Sequence, residues 1–282
     1  MTVTTRFAPS PTGLLHLGHA ASALFAWRRA RAAGGRFLLR LEDIDPTRCR
    51  PDHAAAIQED LGWLGLDWDG PVRVQSRHLP DYQAVLDRLA EQGLLYPCFC
   101  TRADIQREVA DSAAAPHAPD GSLVYPGTCR ALAPAERAAR IGAGERFALR
   151  LDMTAALRRT GPPWFRERGE QVVCRPDRFG DVVLGRKDAP ASYHLCVTHD
   201  DALQGVTLVT RGVDLKPATD VHRVLQTLLG WPEPAYAHHP LLLDAEGRRL
   251  AKRDKAMTLR SLREAGVSAA AVSRMAEMGL AG

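Results

Sequence analysis

The sequence predicts an α/β fold built around a parallel sheet, and three observations predict it. A strand–helix–strand succession runs through residues 6–41. The pattern resumes at Gly180–Arg186 after a polar, cysteine-bearing middle. GVTLVT at Gly205–Thr210 is the clearest β-branched strand in the chain. Strands joined through helices pair in parallel, and such sheets take nucleotides in the crevice at their strand ends.

The bulk properties fit that class. The chain has 282 residues, 45% hydrophobic and 25% charged, enough for one large domain or two modest ones. No apolar run reaches the roughly 20 residues that span a bilayer, so no membrane role is expected. The N-terminus MTVTTRFAPS carries no secretory signal, and a cytoplasmic, reducing setting is expected. A net charge of +4 permits an RNA partner without arguing for one. The six cysteines read better as clustered metal ligands than as a disulfide framework.

RFAPSPTGLLHLGH (6–19) opens the chain's chemistry. Arg6-Phe7-Ala8 ends a short strand, Pro9 and Pro11 stiffen the path, and Ser10 lies between them. His16 and His19 then stand three residues apart where a helix begins, flanking Gly18, which lets a flat ring approach the backbone. A helix start offers unpaired N–H groups and a positive dipole end, suited to a nucleotide phosphate. Two surface histidines at a helix entry is the plainer alternative. The helix runs over Ala20–Ala33 and stops at Gly34-Gly35. RFLLRL (36–41) is a buried strand, and Glu42-Asp43-Ile44-Asp45 follow at its exit, suited to an ammonium group, to a metal, or simply to solvent.

Pro51–Leu64 is predicted as a helix, Asp67–Arg77 as a loop, and Leu79–Gln92 as a helix burying Tyr82, Val85, Leu86 and Leu89. Cys98, Cys100 and Cys129 bracket one loop, whose 111–121 portion has a mobile composition. Three thiolates suit a zinc ion that wants four donors; Tyr125 and His117 are the local candidates for the fourth. Ala133–Ile141 is a helix and Arg146–Leu151 a strand. Residues 152–178 read as a polar surface with exposed Trp164 and Phe165, able to hold RNA by charge and stacking or merely irregular. Tyr193–Thr198 reads as an apolar strand ending at Asp200-Asp201, and Asp220–Leu229 as a helix. Arg211, at the end of GVTLVTR, can converge with Tyr193 on a carboxylate. His238-His239 is read as structural, ahead of a last strand at Leu241–Leu243. The basic run RRLAKRDK (248–255) can close on phosphates.

Together these stretches resemble the class I aminoacyl-tRNA synthetases of the glutamyl type. The motifs that carry the resemblance are RFAPSPTGLLHLGH (6–19), RLEDIDPTR (40–48), CFCTR (98–102), YPGTCR (125–130), TRGVDLKPAT (210–219) and RRLAKRD (248–254), in family order. The resemblance implies a Rossmann-like parallel-sheet catalytic domain with an inserted zinc-containing α+β subdomain. Its divisions are residues 1–96 and 179–240 for the two catalytic halves, 97–178 for the insertion, and 241–282 for the basic loop and short C-terminal helices. It also implies ATP, with Mg²⁺, and L-glutamate as substrates. His16 and His19 match the HIGH element, written HLGH here, and with Gly18 would meet ATP. Lys252 matches the second lysine of the KMSKS-like loop and would stabilise departing pyrophosphate. Arg6, Phe7, Ala8, Pro9, Ser10, Glu42, Tyr193 and Arg211 fall in the family's glutamate pocket. The loop departs from the pattern: Ala251 replaces the usual serine and Arg249 the first lysine.

Only 30 residues follow Lys252, where glutamyl-tRNA synthetases continue into an anticodon-binding region. With the CxC…YxxxC element, the chain is thereby similar to the short paralogous branch, the glutamyl-Q tRNA(Asp) synthetases. That branch implies no anticodon-binding domain and one zinc held by Cys98, Cys100, Tyr125 and Cys129. It implies transfer of glutamate to queuosine in the anticodon loop of tRNA(Asp), by an enzyme expected to be monomeric. The alternatives are a minimal or truncated glutamyl-tRNA synthetase charging an acceptor end and a non-catalytic RNA-binding relative.

Overall fold

The computed structural model describes residues 2–110, 117–242, 257–278 and 280. The opening unit forms as the hydrophobic pattern dictates. β1 (Thr4–Phe7) leads through α1 (Leu17–Ala32) to β2 (Arg36–Leu41), and the two strands pair in parallel, Thr4 opposite Arg36 and Phe7 opposite Leu39. Ala20, Ala21, Ala23, Ala26 and Ala30 bury the sheet side of α1, and these small side chains let the helix lie close to the strands. Gly35 permits the tight return: a Cβ there would lie 2.0 Å from the Val3 carbonyl oxygen. α2 (Pro51–Trp63) starts on proline, and the expected loop after it contains the short β3 (Arg73–Val74), parallel to β2.

α3 (Leu79–Glu91) buries the four residues its periodicity selects, Tyr82, Val85, Leu86 and Leu89. Then come β4 (Leu95–Cys98), α4 (Arg102–Ala110), α5 (Pro134–Gly142), β5 (Ala148–Leu151), α6 (Met153–Thr160), β6 (Trp164–Glu167), β7 (Glu170–Val173) and β8 (Val183–Gly185). α7 (Tyr193–Leu203), β9 (Leu208–Gly212), α8 (Ala218–Leu229), β10 (Ala235–His239), α9 (Leu259–Glu264) and α10 (Ala269–Met278) complete the described elements.

β4, β5 and β8 make an antiparallel sheet, while β9, β10 and β6 run parallel with β7 turned back on the edge. β1 lies against β9: the Thr207 amide donates to the Thr4 carbonyl at 3.0 Å, and the Thr4 amide to the Thr207 hydroxyl at 2.8 Å. The parallel strands thus read β3-β2-β1 and then β9-β10-β6, and the order reverses between β1 and β9. That reversal is where an open α/β sheet forms its crevice. One core lies around α1, β1, β2 and α10, with Phe7, Leu24, Phe37 and Val272; the other packs α3, α7 and α8, with Tyr82, Leu86, Leu195 and Leu225.

The structure departs from the sequence expectation in four places. Gly180–Arg186, read as the α/β pattern resuming, carries β8, which joins the antiparallel sheet beside β5 rather than the parallel one. Residues 193–198 begin the helix α7, with Leu195, Cys196, Val197 and Thr198 all buried. The last parallel strand is Ala235–His239, ahead of the leucine run. Residues 164–173 form a hairpin rather than an irregular surface, and Phe165 is 1% exposed, packed edge-on against Tyr236. Residues 111–116 of the expected mobile loop lie outside the described residues, as does Leu243. Among the described residues no helix is long and apolar enough to cross a membrane.

One buried group is poorly matched to its place. Asp60 on α2 is 0% exposed, neither carboxylate oxygen has a hydrogen-bond partner among the described residues, and Arg263 stays 3.8 Å away. Burial outweighs Arg263 and Arg260 and raises this carboxyl to about 6. The folded state therefore holds the proton more tightly than the unfolded chain, and stability falls as pH rises from about 4 to 6. Asp60→Asn is expected to stabilise the protein by about 1–3 kcal/mol at pH 8 and by almost nothing at pH 4. Urea denaturation at the two pH values measures this; a loss of stability at pH 8 would contradict it.

Candidate functional site

At the reversal between β1 and β9 lies a cavity of about 450 Å³. Arg6, Phe7, Ala8, Pro9, Ser10, His16, Gly18, His19, Glu42, Tyr193 and Arg211 all line it. These residues come from the exits of β1, β2 and β9 and from the starts of α1 and α7. Every residue expected to meet glutamate or ATP is therefore in one place, except Lys252, which lies outside the described residues. The chain flanking that basic loop reaches the same cavity: Leu242 lines it, and the Leu259 amide donates to the Leu15 carbonyl at 2.8 Å.

At the helix end the two imidazoles cap each other. His16 Nδ1 accepts from the Gly18 amide at 3.1 Å, and His19 Nδ1 accepts from the His16 amide at 3.2 Å. An amide N–H only donates, so both Nδ1 atoms are lone pairs and both rings carry their proton on Nε2. The rings lie against each other, tilted by 39°, with 3.8 Å between centroids. Gly18 serves this packing directly: a Cβ there would lie 3.0 Å from His16 Cε1. The flat ring that approaches the Gly18 backbone is thus that of His16 itself.

The β1–β2 side is held by a charge network that the sequence did not disclose. Arg6 donates through Nε and Nη2 to the two oxygens of Asp201, at 2.9 and 3.3 Å, and through Nη1 to the Thr210 carbonyl at 2.9 Å. Arg40, 0% exposed, donates to the same Asp201 at 2.8 Å, to Gln204 at 3.0 Å and to Glu42 at 3.2 Å. Burial opposes ionisation of Asp201, but Arg6 and Arg40 outweigh it and hold the carboxyl below its ordinary value. For Glu42 burial wins over Arg40 and Arg6, and its carboxyl is pushed up. Glu42 keeps acceptor capacity beyond its pair with Arg40 and could accept an ammonium group there, which would favour its ionised form.

Across the cavity, Arg211 is 6% exposed. It donates to Thr219 Oγ1 at 2.6 Å, His222 Nδ1 at 3.2 Å, His238 Nε2 at 3.3 Å and Tyr193 Oη at 3.5 Å. Among the described residues no carboxylate forms an ion pair with it. Burial pushes the Tyr193 hydroxyl up against the pull of Arg211, so it stays a neutral phenol. Ser22, Asp214 and His239 also line the cavity, with Ser22 Oγ 3.0 Å from His239 Nε2. His238-His239, read as structural, supplies both a partner of Arg211 and part of the wall. The roles of Asp201, Arg40 and His222 were missed: Asp200-Asp201 was read only as a strand end, Arg40 only as the first residue of RLEDIDPTR, and His222 carried no local signal.

The three loop cysteines form a second site. Cys98, Cys100 and Cys129 place their sulfurs within 4.8 Å of one another, with Cys100 and Cys129 at 3.4 Å and no disulfide. The Tyr125 hydroxyl lies 3.5 Å from Cys100 Sγ and accepts from the Cys129 amide at 2.8 Å. Burial pushes the Cys100 thiol up to about 11; at Cys129 burial is outweighed by Tyr125 and the Phe99 amide, and its pKa falls. His117 is exposed, forms a backbone bridge with Leu123, and is not in the group. Three soft sulfurs and one oxygen could hold a metal ion.

A family model described as tRNA synthetases class I (E and Q), catalytic domain, matches residues 2–280. The glutamyl-Q tRNA(Asp) synthetase of Rhodobacter capsulatus is 49% identical over 278 residues, covering 96% of this chain and 98% of that protein. The glutamate–tRNA ligase of Aquifex aeolicus is 39% identical over 266 residues, covering 94% of this chain but 54% of the ligase. A crystal structure of a glutamate tRNA ligase from Elizabethkingia meningosepticum, in complex with its amino acid, superposes with a TM-score of 0.75 at 28% identity. It covers 90% of this chain, which spans about half of that ligase, 52% of its length.

Removing the Asp201 charge takes the paired acid from the buried Arg6 and leaves Arg40 only Glu42 and Asp200, and breaking such a pairing costs about 3–5 kcal/mol. Asp201→Asn, nearly the same size, is expected to lower the free energy of unfolding by about that amount in chemical denaturation at pH 7. A change below about 1 kcal/mol would show that the network does not hold the strands.

Proposed function

Because this chain belongs to the class I (E and Q) tRNA synthetase catalytic-domain family, we propose that it activates L-glutamate with ATP and transfers the glutamyl group to queuosine in tRNA(Asp). The observation that carries the glutamate half is Arg211: a buried cation in the cavity wall whose described partners are all neutral. Such a group is stabilised by an arriving carboxylate, which its fork can bind at two oxygens. The acceptor half rests on relatives that bear the glutamyl-Q tRNA(Asp) synthetase name and align along nearly the whole chain.

In this reading Arg211 and Tyr193 receive the side-chain carboxylate of glutamate, and Glu42 receives its ammonium group. The main-chain carboxylate oxygen attacks the α-phosphorus of ATP; the new P–O bond forms as the bond to pyrophosphate breaks. His16 and His19, each protonated on Nε2, offer donors beside the positive end of α1. Lys252 supplies charge for the departing pyrophosphate, together with Mg²⁺. A queuosine hydroxyl then attacks the acyl carbon, and AMP leaves. The rate enhancement comes from positioning and from fixed donors around phosphate charge. Such a reaction belongs in the cytoplasm, with its tRNA. Cys98, Cys100 and Cys129, with the Tyr125 oxygen, would hold one structural zinc.

Purified protein is expected to catalyse glutamate-dependent exchange of pyrophosphate into ATP, and to label queuosine-containing tRNA(Asp) but not tRNA(Glu). Labelling of tRNA(Glu) alone would replace the acceptor half with the tRNA-charging reaction. No exchange with glutamate would remove the reading altogether. Arg211→Ala should lower kcat/KM for glutamate about 10²–10³-fold, the roughly 2–5 kcal/mol attached to an unpaired buried charge. Metal analysis should find one zinc per chain in the native protein and none in Cys129→Ser. A metal-free native protein would remove the zinc assignment.

A further inference from the structure

The other buried cations of the described chain have acids beside them. Arg6 and Arg40 share Asp201, Arg73 has Asp200 and Asp81, and Arg223 has Glu233. Arg211 is surrounded instead by a neutral cage, and hydrogen-bond logic fixes its protonation. A guanidinium donates and cannot accept, so the ring nitrogens facing it are lone pairs. His238 therefore carries its proton on Nδ1, which donates to Glu167 Oε1 at 2.6 Å. His222 carries its proton on Nε2, which donates to His194 Nδ1 at 3.2 Å and leaves the His194 proton on Nε2. The Lys216 ammonium holds the other oxygen of Glu167, at 2.6 Å. Burial first, and Arg211 second, lower His238 to about 4 and carry His222 well below its ordinary value. Burial also lowers His194 to about 4.

Resting on the glutamate reading above, we infer that His222 and His238 are positioning and specificity-determining residues. They aim the Arg211 guanidinium into the cavity while leaving its charge uncompensated, so that the substrate's carboxylate is its counter-ion. Two features support this. The imidazoles satisfy two directions of the fork, Nε through His238 and one Nη1 hydrogen through His222, and with Thr219 on Nη2 they fix its plane. The nearest acid in the cage, Glu167, is one imidazole removed and is already paired with Lys216. A carboxylate in direct contact would orient the arginine equally well and would cancel the attraction for an acidic substrate. The neutral cage thus selects the acid over its amide, glutamate over glutamine.

The test compares isosteric variants that differ in charge. At position 222 an asparagine oxygen stands where Nδ1 accepts from Arg211, and aspartate has the same shape with a negative charge. His222→Asn is expected to raise the glutamate KM about 5-fold, through loss of the bond to His194. His222→Asp should raise it a further 30-fold or more, with the ATP KM and kcat changed about 3-fold at most and with weaker preference for glutamate over glutamine. The readout is ATP–pyrophosphate exchange with each amino acid. His238→Gln and His238→Glu repeat the comparison at the second imidazole and replace it where His222→Asp does not fold. Equal glutamate KM values within the neutral–acidic pair would overturn the inference while leaving glutamate activation intact. Absence of glutamate-dependent exchange in the unsubstituted protein would instead overturn the functional reading, and the inference with it.

Discussion

One carboxylate, Asp201 on α7, holds the two ends of the site's charge network together. Arg6 reaches it from β1 and Arg40 from β2, and both guanidinium groups are cut off from water, at 4% and 0% exposed. Two like charges could not share such a space without an anion between them, because the low dielectric that strengthens an ion pair also strengthens repulsion. Asp201 is therefore less a source of net stability than a condition for β1, β2 and α7 to pack together at all. Its consequences run outward. Arg40, once neutralised, orients Glu42 at the exit of β2. Arg6, once neutralised, ties β1 to the Thr210 carbonyl of β9. The same helix begins at Tyr193, so fixing its last turn helps fix that phenol at the cavity wall.

Against that neutralised side stands the unneutralised one. Arg6 and Arg211 both line the cavity, yet Arg6 has its acid and Arg211 has only a phenol, a hydroxyl and two imidazoles. The cavity is consequently polarised, with a carboxyl at Glu42 and an uncompensated cation at Arg211. A zwitterion with a further carboxylate matches that arrangement, whereas an amino acid with an apolar or amide side chain leaves a buried charge unpaired. The proposed discrimination would rest on desolvation: an arginine in water would make a much smaller distinction between an acid and its amide.

Local pattern disclosed the elements whose faces differ. α3 was legible because Tyr82, Val85, Leu86 and Leu89 recur on one side, and β2 because four of its six residues, Phe37, Leu38, Leu39 and Leu41, are apolar between glycines and acids. α7 was misread for the opposite reason: Leu195 to Thr198 is buried on every side, so it shows no helical period, and its β-branched residues imitate a strand. β10 was overlooked because Tyr236, His238 and His239 are polar; His238 accepts from Arg211 and His239 lines the cavity, while the Tyr236 hydroxyl bonds Gln226. The hairpin of β6 and β7 carried a signal in Arg168-Gly169, both with positive φ, that composition alone obscured. The cavity residues 6–10, 16, 18, 19, 42, 193 and 211 were legible only as motifs. No local rule brings Glu42 to Tyr193; the strand reversal does.

The start of α1 shows why the plain and the functional readings of a histidine pair need not compete. Capping is a structural task, and His16 and His19 perform it for each other with their Nδ1 atoms. That task settles the tautomer: with Nδ1 accepting from the backbone, the proton of each ring is on Nε2. A helix capped by aspartate would satisfy the same amides and present no further donor, only a negative charge. Two imidazoles satisfy them and keep an N–H on the far side of each ring, beside a dipole end that favours anions. Gly18 makes this possible by admitting the His16 ring over its own helix. The cap is thus the device that gives the ring its direction and its proton, and a phosphate site at this position would follow from the capping geometry rather than in spite of it.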